Sequence, residues 1–238
     1  MSTKFIFDVD GVLCDRGQKI NDRFRGWVED FLKDKEYYLL TGSPREKTKN
    51  QIGMVLTFGP KIGYYCLGNS IWTQNGFEVV LNRLSFSEDE LKHLKSFYDH
   101  SLYRFKQPWD DVLQYRSGSC NFSLVKRGST IDERQYYINY ATQCNEREDF
   151  IMKMNDRFPR FECYIGGDTS IDIVLRGANK AQIFNSNFHP NDTIYFFGDK
   201  CDEYGIDKPV YDYIKLIGQT AFNISGGYKE TWEILKTL

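Results

Sequence analysis

The sequence lacks any long hydrophobic run and any strong excess of one charge. Its 238 residues include 31 Lys and Arg against 33 Asp and Glu, a formal net charge of -2. A membrane-spanning helix needs about 20 consecutive apolar residues, and the chain has no such run, so we expect no membrane association. Because no basic excess is available to bind phosphate backbones, a dedicated nucleic-acid-binding protein is not expected either.

Histidines and paired cysteines are also scarce. The chain has 3 His and 6 Cys, and no two cysteines form a Cys-x-x-Cys pair or lie at zinc-site spacing with a histidine. This pattern indicates free thiols rather than a disulfide framework or a zinc site. The first residues also lack the apolar segment of a secretory signal. We therefore expect a cytoplasmic protein.

The N-terminal part alternates between short apolar runs and helical patterns. Lys4–Asp8 and Tyr37–Leu40 have the composition of buried strands, and apolar residues recur at helical spacing between positions 19 and 34. Pro44 predicts the first residue of the next helix, with Ser43 as its N-cap. Strands that alternate with helices in this way predict an α/β fold with a parallel sheet.

The pattern changes in the middle of the chain and returns near its end. Residues 111–125 and 161–175 show polar and apolar alternation around a helical stretch at 131–158, which is typical of an antiparallel sheet with helices. A further apolar strand occupies Thr193–Phe197. We therefore predict a Rossmann-like α/β core, an inserted α+β domain, and the remainder of the core. These segments cover residues 1–82, 83–179 and 180–238.

Acidic residues follow the first and the last of these strands. Asp8 and Asp10 end the first strand, and Asp199 follows the last one. Open parallel sheets bind ligands beyond the carboxyl ends of their strands. A carboxylate nucleophile divides phosphoryl transfer into two easier steps, so we expect Asp8 to attack phosphorus and Asp10 to move protons. Since Mg²⁺ prefers carboxylate oxygens, Asp199 predicts a magnesium site beside Asp8.

Ser43 and Lys180 have the chemistry to bind the transferring phosphoryl group. A hydroxyl beside N–H groups at a helix start suits phosphate oxygens, and a lysine neutralises their charge. Each feature alone has a simpler explanation: a surface turn for the acid pair, helix capping for Ser43 and a solvated side chain for Lys180. Their joint occurrence, largely at predicted strand ends, favours phosphoryl transfer.

The order of acid pair, hydroxyl, lysine and Gly-Asp resembles the haloacid dehalogenase superfamily, whose signature is Asp-x-Asp-Gly after the first strand. The resemblance implies that Asp8 is the nucleophile, that Asp10 is the general acid and base, and that Ser43 and Lys180 hold the phosphoryl group. It also implies Mg²⁺ bound by Asp8, the Asp10 carbonyl and Asp199.

The middle segment is similar to the cap of the eukaryotic-type phosphomannomutase family. Arg116, Arg127 and Arg134 reproduce the spacing of three family arginines, and the first of them opens an Arg-x-Gly motif. Two further segments match the family, a Gly-Gly-Asp-Thr-Ser-Ile-Asp run that ends at Asp172 and a Phe-Phe-Gly-Asp-Lys run. The resemblance implies that the arginines clamp the distal phosphate of a hexose phosphate while Ser170 and Asp172 bind sugar hydroxyls.

Several positions of the predicted core depart from the family pattern, including Thr41 and Tyr204, which each stand where the family has Gly. Val12 stands where the family has Thr, Pro44 replaces an Asp, and Ile206 replaces an Asn. The family arginine before Gln-Lys-Ile is Gly17 here, with Arg16 one place earlier. These departures concern the metal environment and the mutase step more than the sugar-phosphate clamp.

The resemblance implies a phosphomannomutase that interconverts mannose 6-phosphate and mannose 1-phosphate, with a hexose 1,6-bisphosphate as activator. A magnesium-dependent sugar-phosphate phosphatase with the same nucleophile and cap is the alternative. A binding protein without catalytic activity is a third hypothesis, which the intact acid pair disfavours. By the same resemblance we expect a homodimer formed through the caps.

Overall fold

The computed structural model describes residues 2–185, 188–189 and 191–238. These residues form two sheets, each with its own helices. The strands are β1 (Thr3–Phe7), β2 (Glu36–Leu40), β3 (Ile62–Tyr65), β4 (Ser70–Thr73), β5 (Glu78–Val80), β6 (Leu113–Arg116), β7 (Ser119–Ser123), β8 (Phe161–Ile165), β9 (Ser170–Leu175), β10 (Thr193–Gly198) and β11 (Thr220–Asn223). The helices are α1 (Asp22–Leu32), α2 (Arg45–Phe58), α3 (Glu88–His100), α4 (Trp109–Val112), α5 (Ile131–Cys144), α6 (Glu146–Arg157), α7 (Lys208–Leu216) and α8 (Gly227–Leu235), with a 3₁₀ helix at Lys180–Asn185.

The larger sheet has seven strands in the order β11-β10-β1-β2-β3-β4-β5. Its first five strands run parallel, and β4 and β5 continue it antiparallel. β1 lies between β10 and β2, with Phe7 in register with both Phe197 and Leu39. The carboxyl ends of these three strands therefore open at the same edge, and the residues that follow them meet there.

Side-chain alternation along β1 explains why the larger sheet carries helices on both faces. Phe5 and Phe7 point into one apolar cluster, which includes Phe24 of α1. Ile6 points into the other, which includes Ile214 of α7. Because successive side chains of a strand point to opposite faces, a strand that is apolar throughout must be covered on both sides.

The smaller sheet is antiparallel, in the order β6-β7-β9-β8. One face is apolar, with Phe122 and Ile173 packed on helix residues such as Leu94 and Phe150. The alternate residues of β7 and β9, which include Asp172, lie on the opposite face and are polar except for Val174. We call this sheet and helices α3 to α6 the cap. The fold class is therefore as predicted, an α/β unit with a parallel sheet and an α+β unit with an antiparallel sheet, while the boundaries at 82/83 and 179/180 stay predictions.

One local prediction was wrong, and another was confirmed except for a break. Helix α2 starts at Arg45 with Pro44 at the N-cap position, because the Ser43 hydroxyl is turned towards Asp10 and Lys47 instead of the helix end. The helical stretch predicted over 131–158 is two helices, broken at Asn145, whose φ of 51° is left-handed. None of the described helices is long and apolar enough to cross a membrane.

Cap and larger sheet make direct contact near the end of β10. The Ile165 amide donates to the Tyr204 carbonyl at 2.6 Å, and the Ile206 amide donates to the Ile165 carbonyl at 3.2 Å. Ile206 also packs in a small apolar cluster with Leu67 and Val174. The polar face of the cap therefore lies over the carboxyl edge of the larger sheet.

Candidate active site

Asp8 and Lys180 form a buried ion pair at the carboxyl end of β1. The Lys180 ammonium lies 3.0 Å from Asp8 Oδ2 and 2.7 Å from Asp207 Oδ1, and the Lys180 side chain is 0% exposed. Burial lowers the pKa of a lysine, but the two carboxylates outweigh burial here and raise the pKa of Lys180. Lys180 therefore stays charged beside Asp8, as a phosphoryl-transfer site requires.

Three carboxylates converge around this lysine. One oxygen each of Asp8, Asp199 and Asp207 lies within 4.8 Å of the others. Burial, opposed by Lys180 and reinforced by the two neighbouring acids, raises the pKa of Asp8. Burial and then the charge of Asp207 raise the pKa of Asp199 to about 6. By formal charge, three carboxylates here are paired with two cations, Lys180 and Arg16, which leaves an excess of negative charge.

This excess of negative charge fits a divalent cation. Hard oxygen ligands and a net negative site are what Mg²⁺ requires. Asp207 is fully engaged, because its Oδ2 accepts from the amides of Asp199 and Lys200 at 3.1 Å and its Oδ1 from Lys180. Asp8 and Asp199 are therefore the side chains that would hold the metal, and Asp207 would orient Asp199 and Lys180.

Gly11 allows the Asp199 carboxylate to approach the main chain after β1. Gly11 has a φ of +80°, and a Cβ on it would lie 2.2 Å from Asp199 Oδ2. The same carboxylate accepts from Arg16 Nε at 2.6 Å. Asp199 therefore lies against the main chain beside Asp10, and the predicted metal contact through the Asp10 carbonyl stays a prediction.

The Asp10 side chain faces α2 and accepts four hydrogen bonds. Oδ1 accepts from the Gly17 amide at 2.8 Å and from Gln51 Nε2 at 2.7 Å. Oδ2 accepts from Lys47 Nζ at 3.1 Å and from Ser43 Oγ at 3.4 Å. Burial raises the pKa of Asp10, but Lys47 and the Gly17 amide more than compensate, so that the pKa is lowered.

A cavity of about 520 Å³ separates these acids from the polar face of the cap. Its described lining includes Asp8, Asp10 and Ser43 on one side and Arg116, Ser170 and Asp172 on the other. Lys180 lies behind Asp8. The structure therefore gathers residues from six separate segments of the chain around one enclosed space.

Arg116 reaches across this cavity from β6. Its Nη1 donates to the Gly42 carbonyl at 3.0 Å and to Asp172 Oδ1 at 3.3 Å, and its Nη2 donates to Gln114 Oε1 at 3.0 Å. Asn121 Nδ2 also donates to Asp172 Oδ1, at 2.8 Å. The guanidinium thus spans the gap between the cap and the segment that carries Ser43.

The other two predicted arginines are placed differently. Arg134 lines the cavity and lies 4.0 Å from Asp168, an acid that also pairs with Arg16 at 3.0 Å. Arg127 donates to the main-chain carbonyls of Asp111 and Asn121, and it is not among the described residues that line the cavity. Its predicted role at the distal phosphate stays a prediction.

Several residues at the site were not identified from the sequence. Lys47 and Gln51 follow Ser43 at intervals of four, so the helical pattern of α2 could have placed them on the same face as Ser43. Arg16 and Asp168 link the larger sheet to the cap. Asp207, by contrast, is one of three acids after Asp199 that the sequence suggests as support for the metal site; Asp207 is buried there, whereas Asp202 and Glu203 are exposed.

The fold and the acidic carboxyl edge define a class of proteins, the haloacid dehalogenase fold. A solved haloacid dehalogenase-like hydrolase from Bacteroides thetaiotaomicron superposes with a TM-score of 0.56 at 12% identity, covering 97% of this chain and 92% of that one. This likeness shows the fold, and it agrees with the predicted signature at Asp8 and Asp10.

Sequence comparison identifies the family within this class. A family model described as eukaryotic phosphomannomutase matches residues 40–237. The phosphomannomutase of Arabidopsis thaliana is 25% identical over 223 residues, 90% of this chain and 89% of its own length. That of Encephalitozoon cuniculi (strain GB-M1) is 26% identical over 247 residues, 99% of this chain and 94% of its own. The chain belongs to the eukaryotic phosphomannomutase family. Membership of this enzyme family implies the use of a divalent metal ion.

Proposed function

We propose that this protein is a phosphomannomutase that interconverts mannose 6-phosphate and mannose 1-phosphate. The observation that carries the proposal is a single cavity with anion-binding groups on two opposite walls. Ser43 lines one wall beside Asp8, with the buried Lys180 in contact with Asp8, and Arg116 and Arg134 line the other wall. A mutase needs phosphate-binding groups on both walls, because the intermediate sugar carries a phosphate at each end while only one end reacts at a time.

The reaction proceeds in two phosphoryl transfers at Asp8. An Asp8 oxygen attacks one phosphorus of a hexose 1,6-bisphosphate, the bond from that phosphorus to the sugar oxygen breaks, and Asp10 gives its proton to the departing oxygen. In the second transfer, the free hydroxyl of a substrate monophosphate gives a proton to Asp10 and attacks the aspartyl-phosphate, which releases Asp8 and forms a bisphosphate. This bisphosphate turns round, and the first transfer is repeated at its other end, where Asp10 returns the proton to the departing oxygen and the isomeric monophosphate leaves. Ser43 and Lys180 hold the phosphoryl oxygens throughout, and the bisphosphate is the activator that supplies the first phosphoryl group.

The cap would hold the end of the sugar that does not react. Arg116, Arg127 and Arg134 are proposed to bind the distal phosphate, because a guanidinium binds two phosphate oxygens through parallel hydrogen bonds. Ser170 and Asp172 would bind sugar hydroxyls. A closed cap also excludes water, which would otherwise hydrolyse the aspartyl-phosphate.

We propose Mg²⁺ as the divalent ion, held by Asp8, the main-chain carbonyl of Asp10, and Asp199. When bound, it would neutralise charge on the phosphoryl oxygens as they transfer. The carboxylate oxygens that Asp8, Asp199 and Asp207 bring within 4.8 Å of one another support this assignment.

The test is an assay with Mg²⁺, mannose 1-phosphate and a trace of glucose 1,6-bisphosphate, in which mannose 6-phosphate and free phosphate are both followed. The proposal expects mannose 6-phosphate without free phosphate, and no product from D8N. Free phosphate alone would mean that the protein is the sugar-phosphate phosphatase. No turnover with a folded wild-type protein would leave only a binding function.

We further propose a cytoplasmic homodimer joined through the caps. The six cysteines are free, which is usual in a reducing compartment. The cap exposes apolar side chains such as Leu102 and Phe105, which are 83% and 66% exposed. Light scattering of the wild type and of the double variant L102S/F105S tests the dimer, which the second protein should form less readily.

A further inference from the structure

Both carboxylate oxygens of Asp10 are occupied in this structure by the hydrogen bonds that they accept. Oδ1 is held by two fixed donors, the Gly17 amide and the Gln51 amide group. Oδ2 is held by Lys47 and, more loosely, by Ser43. A carboxylate must present a free oxygen to exchange a proton with a sugar hydroxyl. At least one of these donors therefore has to leave Asp10 during the reaction.

Lys47 is the donor that can move most readily. Its side chain is 50% exposed, whereas Gln51 is only 7% exposed and Gly17 donates from the main chain. A lysine ammonium on a four-carbon stem reorients with little steric hindrance. When Lys47 moves away, the Asp10 oxygen that becomes free is therefore Oδ2, which lies on the side of the cavity and of Ser43.

The position of Lys47 in α2 also indicates a function. Lys47 lies in the first turn of the helix, whose positive dipole end disfavours cations. Pro44, at the N-cap position, has no side-chain group that could cap this turn. A charge placed against the local preference of a helix is most often found where function requires it. Lys47 and the first turn together form a positive surface beside Asp8.

The neighbours of Lys47 identify what this positive surface would bind. Lys47 Nζ lies 2.9 Å from Ser43 Oγ, and both groups line the cavity next to Asp8. Ser43 is the hydroxyl that the proposed function assigns to the transferring phosphoryl group. A phosphoryl group on or near Asp8 would therefore lie within reach of the ammonium, with more charge and more acceptor oxygens than the Asp10 carboxylate offers.

We propose that Lys47 is a further catalytic residue, which leaves Asp10 Oδ2 and binds the transferring phosphoryl group when sugar phosphate enters. The exchange has two effects: the phosphoryl group gains a charged donor, and Asp10 gains a free oxygen that faces the sugar. Substrate binding itself thereby prepares the proton-transfer group. The inference rests on the proposed function, because it takes Asp8 as the residue that is phosphorylated.

Gln51 provides the matched control. It lies one helical turn after Lys47 and donates to the other oxygen of Asp10, at 2.7 Å. It also donates to the Gln18 carbonyl at 3.4 Å, away from the phosphoryl position. Gln51 therefore acts on the reaction only through Asp10, as a positioning residue. Its loss should reduce turnover without changing the affinity for phosphate.

The experiment measures the affinity for inorganic phosphate by calorimetry, with Mg²⁺ present, together with mutase turnover. The proteins compared are wild type, K47M, K47R and Q51L, each checked by thermal unfolding. We expect K47M to bind phosphate about 10- to 100-fold more weakly, as for the loss of a hydrogen bond to a charged group. K47R should recover part of this affinity, and Q51L should bind phosphate as the wild type does while its turnover falls.

One outcome overturns the inference alone: an active wild type together with a K47M variant that binds phosphate normally, so that K47M behaves like Q51L. Lys47 would then be a second positioning residue for Asp10. If K47M proves unfolded, K47Q at the same half-exposed position gives the same comparison. A wild type that neither binds phosphate nor turns over sugar phosphates would overturn the proposed function and, with it, this inference.

Discussion

The ammonium of Lys180 lies 3.0 Å from the Asp8 carboxylate, and neither side chain is more than 6% exposed. Asp207 also holds this ammonium, at 2.7 Å. One buried cation thus separates two buried carboxylates, which would otherwise repel each other. Under the proposed function, this contact connects stability and catalysis, since the charge that pairs with the buried carboxylates would also neutralise the phosphoryl group.

Replacement of Lys180 by Met should therefore affect both properties. We expect the free energy of unfolding to fall by about 3–5 kcal/mol, the usual cost of removing one partner of a buried ion pair. Mutase turnover should be lost. Chemical denaturation measures the first effect, and the K180M/D207N double variant is its control. If the double variant is no more stable than K180M, unpaired carboxylates are not the cause.

Gly11 should be intolerant of any side chain because of Asp199. In G11A, the new Cβ would meet Asp199 Oδ2 at 2.2 Å, in addition to the strain of a φ of +80°. Backbone strain of this kind costs about 1–3 kcal/mol. We expect G11A to be destabilised by that amount and also to lose Mg²⁺ affinity, which calorimetry measures.

Gly76 provides a control that separates backbone strain from the contact with Asp199. It lies in a hairpin turn with a φ of +79°, and a Cβ on it would have no atom of the described residues within 4 Å. G76A should show similar strain but normal Mg²⁺ affinity. Normal metal binding by G11A as well would contradict the assignment of Asp199 to the metal site.

Much of the fold could be predicted because its strands are short and strongly apolar. β1, β2 and β10 are buried on both faces, so their composition alone marks them, and the acids that follow β1 and β10 must share one edge. The break between α5 and α6 was missed because Asn145 fits a helical pattern as well as the left-handed conformation that it adopts. Local sequence does not decide between these two states.

The partners at the site were harder to predict than its acids. Lys47 meets Asp10 across 37 residues of sequence, and Gln51 across 41. Such contacts depend on how α2 packs beside β1, which no local pattern specifies. Arg127 shows a related limit of sequence reasoning. Its spacing matches that of the family arginines, but its guanidinium is not part of the described cavity wall.

Arg134 and Arg127 should therefore differ in their effect on substrate binding. Arg134 lines the cavity, whereas Arg127 is held by main-chain carbonyls beside it. We expect R134A to raise the KM for mannose 1-phosphate about 10- to 100-fold, as for the loss of a charge-assisted hydrogen bond. R127A should raise it less. Steady-state kinetics measure both values, and equal effects would mean that Arg127 turns into the cavity when substrate binds.

A buried pair far from the site predicts how stability depends on pH. Lys4 Nζ lies 2.7 Å from Asp192 Oδ2, and both side chains are less than 10% exposed. Lys4, followed by the His189 amide, lowers the pKa of Asp192. Because the pKa in the folded state lies below the unfolded value of about 3.9, the pair contributes its full stabilisation above that pH. The contribution is lost as the pH falls further.

The variant D192N isolates this contribution from the other acids, which titrate alike in both proteins. Wild type should exceed D192N in free energy of unfolding at pH 7, and urea titrations should show the difference shrinking below about pH 4. D212N is the control, because Asp212 forms an exposed pair with Lys208 and is itself 55% exposed. Exposed pairs contribute little, so D212N should match wild type at every pH. A constant difference between wild type and D192N from pH 7 to pH 3 would show that the lowered pKa does not contribute to stability.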